Sequence, residues 1–460
     1  MLHEMLPHVR GPVSKQSARI RLYLLGMLLD LCLMLVSFAA ANHLVLGEVM
    51  GEPGKPHGFV MFALIAPVYI VLAVNGGAYG IQLLNNVRSS ASRALLALVQ
   101  AVLVAVLLVY LGKMGEQLSR LVLAIGSALT VAGLVLTRVL VKALSNRLLG
   151  GVPQIEMFII DGPTEITPPA HMEVVDAPAI GLDPANHDAA MASLLAAVVG
   201  GAEHVVVACT DEKLADWSAA LKSLSVRGEI LVPGMARFAP AMGGTFEHHP
   251  TLVVAGGPLT FKGRLIKRLF DLLFAAGAVL ALSPVLIATA IAIRLTSPGP
   301  ALFKQLRIGR DSRPFWIYKF RSMRTDMADA TASMLTQKDD PRVTRIGAFI
   351  RKTSIDELPQ LFNVLKGDMS IVGPRPHAPG AKAANSLYWE VDSRYWARHC
   401  IKPGITGLAQ IRGHRGNTVE EEDLILRLQS DLEYVTDWSI LKDLKIVLAT
   451  LGVLVHHNAY

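Results

Sequence analysis

The stretch FKGRLIKRLFDLLFAAGAVLALSPVLIATAIAIRLTSPGP, residues 261–300, decides the architecture. Its apolar part, Leu269 to Ile293, is long enough to cross a bilayer. Yet Lys262, Arg264, Lys267 and Arg268 precede it, and Arg294 and many further cations follow. Ser283-Pro284 falls in the middle. A proline there removes a backbone donor and kinks the helix, and the serine hydroxyl can cap a freed carbonyl. Positive flanks on both sides of a central break predict a re-entrant helix over 262–296 that enters and leaves on the cytoplasmic face. An ordinary span would instead carry residues 297–460 across the membrane. Asp271 then lies near the interface, where a charge costs less than at the bilayer centre.

Upstream, apolar runs at 20–46, 58–80, 93–112 and 118–141 predict a four-helix transmembrane unit over 20–145, behind a tail of residues 1–19. The first run is too long for a cleavable signal peptide. Arg10, Lys15, Arg19 and Arg21 precede the first span. Arg88 and Arg93 lie between the second and third, and Arg138, Lys142 and Arg147 close the fourth. The alternate loops carry only Lys55 in one and Lys113 and Arg120 in the other, so both ends of the unit are expected in the cytoplasm.

The totals agree with a membrane protein that has soluble parts. Hydrophobic residues make up 52% of the 460, charged residues 18%, and the mean hydropathy is +0.43. Cys32, Cys209 and Cys400 are too scattered for a disulfide framework or a zinc site. The net charge of +7 is assigned to membrane-proximal loops and an anionic substrate, and no nucleic-acid-binding motif is present.

Residues 152–258 change character. EMFIID (156–161), HVVVAC (204–209) and EILVPG (229–234) read as buried strands, with DAAMASLLAAVVG helical between them. This predicts a small, parallel, Rossmann-like cytoplasmic module. The first strand runs into DGPTEITPP, which cannot build a glycine-rich phosphate cradle, so the module is expected to be structural or regulatory.

Between 301 and 325 there are seven cations (Lys304, Arg307, Arg310, Arg313, Lys319, Arg321 and Arg324) against Asp311 alone. FWIYKF is strand-like and presents Lys319 and Arg321 on one face, an arrangement suited to binding phosphate. Arg342, Arg345, Arg351, Lys352 and Arg375 follow. Within this basic region lies TSIDELPQLFNVLKGDMSIVGPRP, 353–376, with adjacent Asp356 and Glu357. Ser354 and Glu357 match a helix capping box, but a helix started by Ser354 places Pro359 where its missing N–H is needed. A helix starting at Ile355 or Asp356 keeps Pro359 in the first turn. It buries Leu358, Leu361, Phe362 and Leu365, and stops at Gly367. Both carboxylates then sit at its N-terminus and need a counter-ion, either magnesium or the arginines.

YKFRSMRTD, RVTRIGAFIRKTSIDELPQLFNVLKGDMSIVGPRP, KPGITGLAQIRG and DLEYVTDWSILKDLKIVLATL, in this order, closely resemble the bacterial sugar transferases. These are the polyprenyl-phosphate sugar-1-phosphate transferases that begin capsule, O-antigen and exopolysaccharide synthesis. The resemblance is dense over 262–460, and the preceding spans and module resemble the family's large branch. It implies a fold class of membrane α-helical plus α/β: four transmembrane helices, the Rossmann-like module, the re-entrant helix and, over 297–460, an α/β catalytic domain on the inner leaflet of the bacterial cytoplasmic membrane.

The resemblance also implies roles. Asp356 would attack the sugar-bearing phosphate of a UDP-sugar, releasing UMP, and polyprenyl phosphate would then take the phosphosugar from the carboxylate. Glu357 would help hold Mg²⁺. Pro374, Arg375 and Pro376 match the segment that contacts the nucleotide, and Arg307, Arg310, Lys319, Arg321 and Arg351 match phosphate ligands. Asp368 and Asp443 match family carboxylates, with surface or helix-end roles equally open. The terminal Ala459-Tyr460 matches the family's usual end. A hexose, glucose or galactose, and a homodimer are expected by analogy with the large branch. Helices at 423–435 and 440–455 are expected to lie in the interface with membrane lipids. Two other functions remain open: a non-catalytic scaffold of polysaccharide assembly, and a plain glycosyltransferase releasing UDP, for which the D-x-D triplet is absent.

Overall fold

The computed structural model describes residues 13–49, 57–113, 119–234, 244–247, 249–323, 342–384, 386–414 and 420–455. Arg10, Lys55, Arg324 and the terminal Ala459-Tyr460 lie outside them. Two compact units divide near residue 155.

The first unit is helical: α1 (Val13–Leu46), α2 (His57–Asn75), the short α3 (Ile81–Asn85), α4 (Val87–Leu111) and α5 (Arg120–Leu149). Four of these, all but α3, are long and apolar enough to cross a bilayer. Ala94, Ala97, Ala101 and Ala105 form a buried stripe of small residues on α4, which lets it approach α2 closely. At the centre, Asp30 of α1 meets Arg138 of α5, and both side chains are fully buried.

In the second unit the module forms one six-stranded sheet. Its strands are β1 (Glu156–Asp161), β2 (Glu173–Asp176), β3 (His204–Cys209), β4 (Arg227–Leu231), β5 (Gly244–Phe246) and β6 (His249–Gly256), in the order β2-β1-β3-β4-β6-β5. Helix α6 (Ala189–Val199) joins β2 to β3, and α7 (Leu214–Lys222) joins β3 to β4. The sheet is parallel over β2-β1-β3-β4 but not throughout, as the sequence suggested. β6 runs antiparallel to β4, and β5 to β6. Among the described residues only the short edge strand β5 lies between β4 and β6, and a parallel return needs a crossover connection.

Next, α8 (Phe261–Thr296) is one uninterrupted helix through Pro284, with the Ser283 hydroxyl donating to the Leu280 carbonyl at 2.8 Å. It is the fifth helix long and apolar enough to cross a bilayer. Both of its halves pack on the same α/β body. Phe270, Ala275 and Ala278 join the core with Leu361 and Ile371, while Leu286 and Ile293 join Phe320 and Ile350. Leu273, Leu280, Ile287 and Leu295 are exposed.

That body begins with an antiparallel hairpin, β7 (Leu302–Ile308) and β8 (Pro314–Phe320), followed by α9 (Arg345–Lys352) and α10 (Gln360–Lys366). Then come β9 (Ser370–Val372), the two-residue pair β10 (Lys382–Ala383) and β11 (Ser386–Leu387), and α11 (Tyr388–Val391). A 3₁₀ segment, Ser393–Cys400, leads to β12 (Gly404–Thr406), α12 (Leu408–Ile411), α13 (Glu421–Thr436) and α14 (Ile440–Val455). β12 pairs in parallel with β9, Gly404 opposite Ser370 and Thr406 opposite Val372, and a Cβ on Gly404 would collide with the backbone nitrogen of Gly373 just past β9. That approach lets Gly404 N–H donate to the Pro374 carbonyl at 2.9 Å, fixing the start of the Pro-Arg-Pro loop.

The two C-terminal helices differ from expectation and from each other. α13 sends Leu424, Arg427, Leu428, Asp431 and Tyr434 into the core, so it is a core helix and not an interfacial one. α14 exposes Leu441, Leu444 and Leu448 along one stripe, as a helix lying in an interface would.

Candidate active site

Asp356 and Glu357 lie in a single 3₁₀ turn, Ile355–Glu357, between α9 and α10. Ser354 just before it is left-handed (φ 55°) and its side chain caps nothing, so the capping box does not form. The α-helix proper starts at Gln360 behind Pro359, later than the sequence suggested, which rotates its faces. Phe362 is exposed as a result, and Asn363 is buried in its place. Asn363 accepts from Tyr318 N–H at 2.9 Å and donates to the Trp316 carbonyl at 2.7 Å. These bonds fix the hairpin against the turn that carries the acids. Gly367 (φ 103°) ends α10 as the sequence suggested.

The hairpin register decides which cations meet the acids. Phe303 faces Lys319, Gln305 faces Ile317 and Arg307 faces Phe315, so Lys319 and Arg307 share one face of the ribbon. Lys319 Nζ lies 3.0 Å from Glu357 Oε1. From the loop after β9, Arg375 reaches Glu357 with both terminal nitrogens, at 2.7 Å to Oε1 and 3.3 Å to Oε2. Burial opposes the charge on Glu357, but Arg375 and Lys319 hold its carboxyl well below the usual range.

Asp356 is different. It has no hydrogen-bond or ion-pair partner among the described residues. Burial pushes its carboxyl up to about 6, with the Glu357 charge adding to the rise and Lys319, Arg351 and Arg375 pulling against it. The two neighbouring acids are thus driven apart, one locked as an anion and one open and titrating near neutrality. Arg307 completes the cluster: burial, then the Arg375 charge, lowers its guanidinium to about 10, and it donates to Gln305 Oε1.

The structure brings Asp356, Glu357, Lys319, Arg307, Arg351 and Arg375 together, and places two other expected ligands elsewhere. Arg321 is buried and donates to the Ser297 and Pro298 carbonyls at 2.8 and 2.6 Å and to the Ser297 hydroxyl at 2.7 Å. It ties the end of α8 to the hairpin, because strand β8 ends just before it. Arg310 is exposed in the β7–β8 turn and pairs with Asp311 at 3.1 Å. Pro374 and Pro376 flank Arg375 and stiffen its loop. Asp368 pairs with Lys366 at the end of α10. Asp443 is fully buried and accepts from Lys267, Tyr434 and Trp438, a structural knot between α8, α13 and α14.

Sequence reading missed the residues behind Arg375. Arg398 donates to the Arg375 carbonyl at 2.7 Å and meets His377 Nδ1 at 2.8 Å, while Asp431 accepts from it at 2.9 and 2.7 Å. His377 is buried against Tyr388 and Tyr395, and burial with the Arg398 charge keeps it neutral. Arg398 and Asp431 lie 33 residues apart, and only the fold pairs them.

A cavity of about 210 Å³ adjoins Glu357. Phe274, Ala278 and Leu282 of α8, Leu361 of α10, Ile405 and Val447 line it, and it reaches Ser354 and Glu357. An apolar channel wall beside a cationic clasp can seat a molecule with a greasy chain and an anionic head.

A family model described as bacterial sugar transferase matches residues 262–457. Over 194 residues the chain is 54% identical to the undecaprenyl-phosphate glucose phosphotransferase of Komagataeibacter xylinus, a match covering 42% of this chain and 36% of that one. The UDP-glucose:undecaprenyl-phosphate glucose-1-phosphate transferase of Caulobacter vibrioides is 47% identical over 209 residues, 45% of this chain and 76% of its own. The exopolysaccharide production protein PSS of Rhizobium leguminosarum bv. phaseoli is 50% identical over 187 residues, 41% of this chain and 94% of its own. The match thus spans about a third of the length of the first of these relatives and nearly all of the last. The chain belongs to the bacterial sugar transferase family.

Proposed function

We propose that this protein transfers a hexose 1-phosphate from a UDP-hexose, UDP-glucose or UDP-galactose, to undecaprenyl phosphate, with release of UMP. The observation that carries the reading is the open Asp356 carboxylate next to the clasped Glu357, which itself lines an apolar cavity. In this reaction an Asp356 oxygen attacks the sugar-bearing phosphorus, and the bond from that phosphorus to the UMP oxygen breaks. The phosphosugar stays on the carboxylate. A phosphate oxygen of undecaprenyl phosphate then attacks the same phosphorus, the bond to Asp356 breaks, and the carboxylate returns.

UMP is a good leaving group, so neither half needs a proton donor, in keeping with a buried, neutral His377. Arg307, Lys319, Arg351 and Arg375 would neutralise the phosphates as charge shifts between them. Two adjacent carboxylates suit magnesium, which takes one or two such ligands and fills its shell with water and substrate phosphates. Glu357, whose Oε2 has only the long Arg375 contact among the described residues, would hold it, and when bound it would offset phosphate charge.

The cavity beside α8 supports a lipid acceptor, with its chain among Phe274, Ala278 and Leu282 and its phosphate at the clasp. The re-entrant course of α8 is supported by the packing of both its halves on one body and by cations at both ends. It would hold the catalytic domain on the inner leaflet, with the α14 stripe beside it. A scaffold role would leave an unpaired, part-buried acid unexplained. The resulting lipid-linked sugar would begin an exopolysaccharide, capsule or O-antigen.

The test is purified membranes with undecaprenyl phosphate, Mg²⁺ and a panel of UDP-sugars, the released nucleotide being identified. UMP from one sugar, lost in Asp356→Asn, is expected; UDP, or UMP undiminished in that variant, would refute the reading.

A further inference from the structure

The module grips the catalytic body at two places, and both belong to elements that build the clasp. The first is the β7–β8 turn. Ser225, just past α7, donates its N–H to Asp311 Oδ1 at 2.7 Å and its hydroxyl to Oδ2 at 3.0 Å. Asp311 and Ser312 both have φ of 56°, a left-handed pair that two non-glycine residues hold only when surroundings impose it. Nearby, Arg313 donates to the Ala196 carbonyl at 3.3 Å. The two strands joined by this turn carry Arg307 and Lys319.

The second place is the Ser393–Cys400 segment. Trp396 Nε1 donates to the His187 carbonyl at 2.7 Å, and the aromatic cluster around it packs on Ala189 and Ala192 of the module. Two residues on, Arg398 holds the carbonyl of Arg375. Both sides of the clasp therefore lead back to the module: Arg375 through Arg398, two residues past Trp396, and the hairpin through its turn, with Arg307 four residues before Asp311 and Lys319 at the far end of β8.

The relative from Rhizobium leguminosarum is matched over 94% of its length by 187 residues, while the family model alone spans 262–457 here, so that relative is too short to hold such a module as well. The family's catalytic body therefore occurs without this brace.

We propose that Asp311 and Trp396 are positioning residues through which the α/β module sets the spacing of Arg307, Lys319 and Arg375 around Glu357, and so tunes UDP-sugar binding. This rests on the transferase reading above. The module acts at a distance: at the end of its first strand Asp161 is already taken by Lys213 at 2.7 Å and Trp217 at 2.8 Å, and its grip is mechanical.

The experiment uses the full chain in lipid nanodiscs, comparing Asp311→Gly, Asp311→Asn and Trp396→Phe with wild type. Glycine keeps the left-handed turn and removes the acceptor, whereas asparagine tolerates the turn and keeps an acceptor for Ser225. Asp311→Gly and Trp396→Phe are each expected to raise KM for the UDP-sugar about five- to tenfold with kcat within about twofold, and Asp311→Asn to restore most of the loss. A merely structural role would lower kcat and the active fraction together. Hydrogen exchange supplies a readout free of turnover. Amides of 309–313 should exchange faster in Asp311→Gly, and those of Arg375 and His377 faster in Trp396→Phe. KM within twofold of wild type in both variants, or unchanged exchange in both segments, would overturn the brace. A wild type that releases no UMP would refute the transferase reading, and the exchange data would still decide the brace. Should Asp311→Gly not fold, Trp396→Phe alone decides it.

Discussion

Two of the carboxylate–arginine pairs in this molecule, Asp30–Arg138 and Glu357–Arg375, differ in their surroundings in one respect. In the membrane unit, Asp30 takes five donors: Arg138 at 2.8 Å on each oxygen, Thr137 at 2.9 Å, Tyr69 at 2.8 Å and Tyr79 at 2.6 Å. Neither member of the pair is exposed at all. In the catalytic domain, Glu357 takes Arg375 and Lys319, keeps 13% of its side chain exposed, and has an unpartnered acid next door. In the first pair both carboxylate oxygens are filled and buried, so the acid has nothing left to offer a ligand. The second is held but open, and a cavity reaches it. A buried ion pair on its own therefore says little about function; what separates structure from chemistry is whether any valence is left over.

That contrast can be broken, beginning with the largest effect. Asp30→Leu leaves Arg138 buried and unpaired and is expected to cost about 3–5 kcal/mol of stability, read as loss of folded protein in detergent. Asp30→Leu with Arg138→Met should recover much of it, since an apolar pair of similar size needs no partner. A double variant no better than the single would show that the pair does more than hold helices.

Glu357→Gln should do the reverse, lowering kcat by about 10²–10³ while thermal stability changes little. A large fall in melting temperature with modest loss of turnover would make Glu357 another Asp30.

The open acid gives a smaller, graded effect. As the proposed nucleophile Asp356 would act as an anion, and its carboxyl is raised to about 6, so kcat/KM should fall as pH drops through about 6. Because Lys319 lowers that value, Lys319→Met should move the acid limb to higher pH. A limb at the same pH in both proteins would remove Lys319 from the account.

The smallest effect lies in the module. Burial opposes a charge on His204, yet Glu156 and Glu229 raise it to about 9, and Glu229 in turn is drawn down to about 2 by His204 and Thr251 against its own burial. A raised histidine stabilises fully below its unfolded value near 6.5 and loses that contribution as pH rises toward 9. A lowered carboxyl stabilises above about 4.5 and loses it as pH falls toward 2. Module unfolding, followed by hydrogen exchange, should be slowest between about pH 4.5 and 6.5 and quicken towards 9. His204→Gln should flatten the alkaline side, and an unchanged profile would discount the ladder.

How much of this was legible in the sequence depended on the range of the interactions. Long apolar runs and the strands EMFIID and HVVVAC declare themselves through local pattern, and so did the Asp356-Glu357 pair with its cations. The antiparallel β6 did not, because strand direction is set by the connection and not by the strand. Arg321 looked like its neighbour Lys319 on one face of a strand, but β8 ends at Phe320 and its guanidinium turns to cap α8. Arg398, Asp431 and Asn363 gave no local signal, since each acts through a partner far away in the chain. Helix phase misled once: a 3₁₀ turn ahead of Pro359 rotated α10 and exchanged Phe362 for Asn363 at the buried face.

The most direct trial of the open carboxylate is to mix the protein with the UDP-sugar that yields UMP, with no lipid acceptor, quench it, and weigh the peptide containing Asp356. A phosphosugar adduct on Asp356, discharged when undecaprenyl phosphate is added and absent from Asp356→Asn, is the expected result. UMP released in proportion to enzyme while that peptide stays unmodified would mean that Asp356 is not the nucleophile.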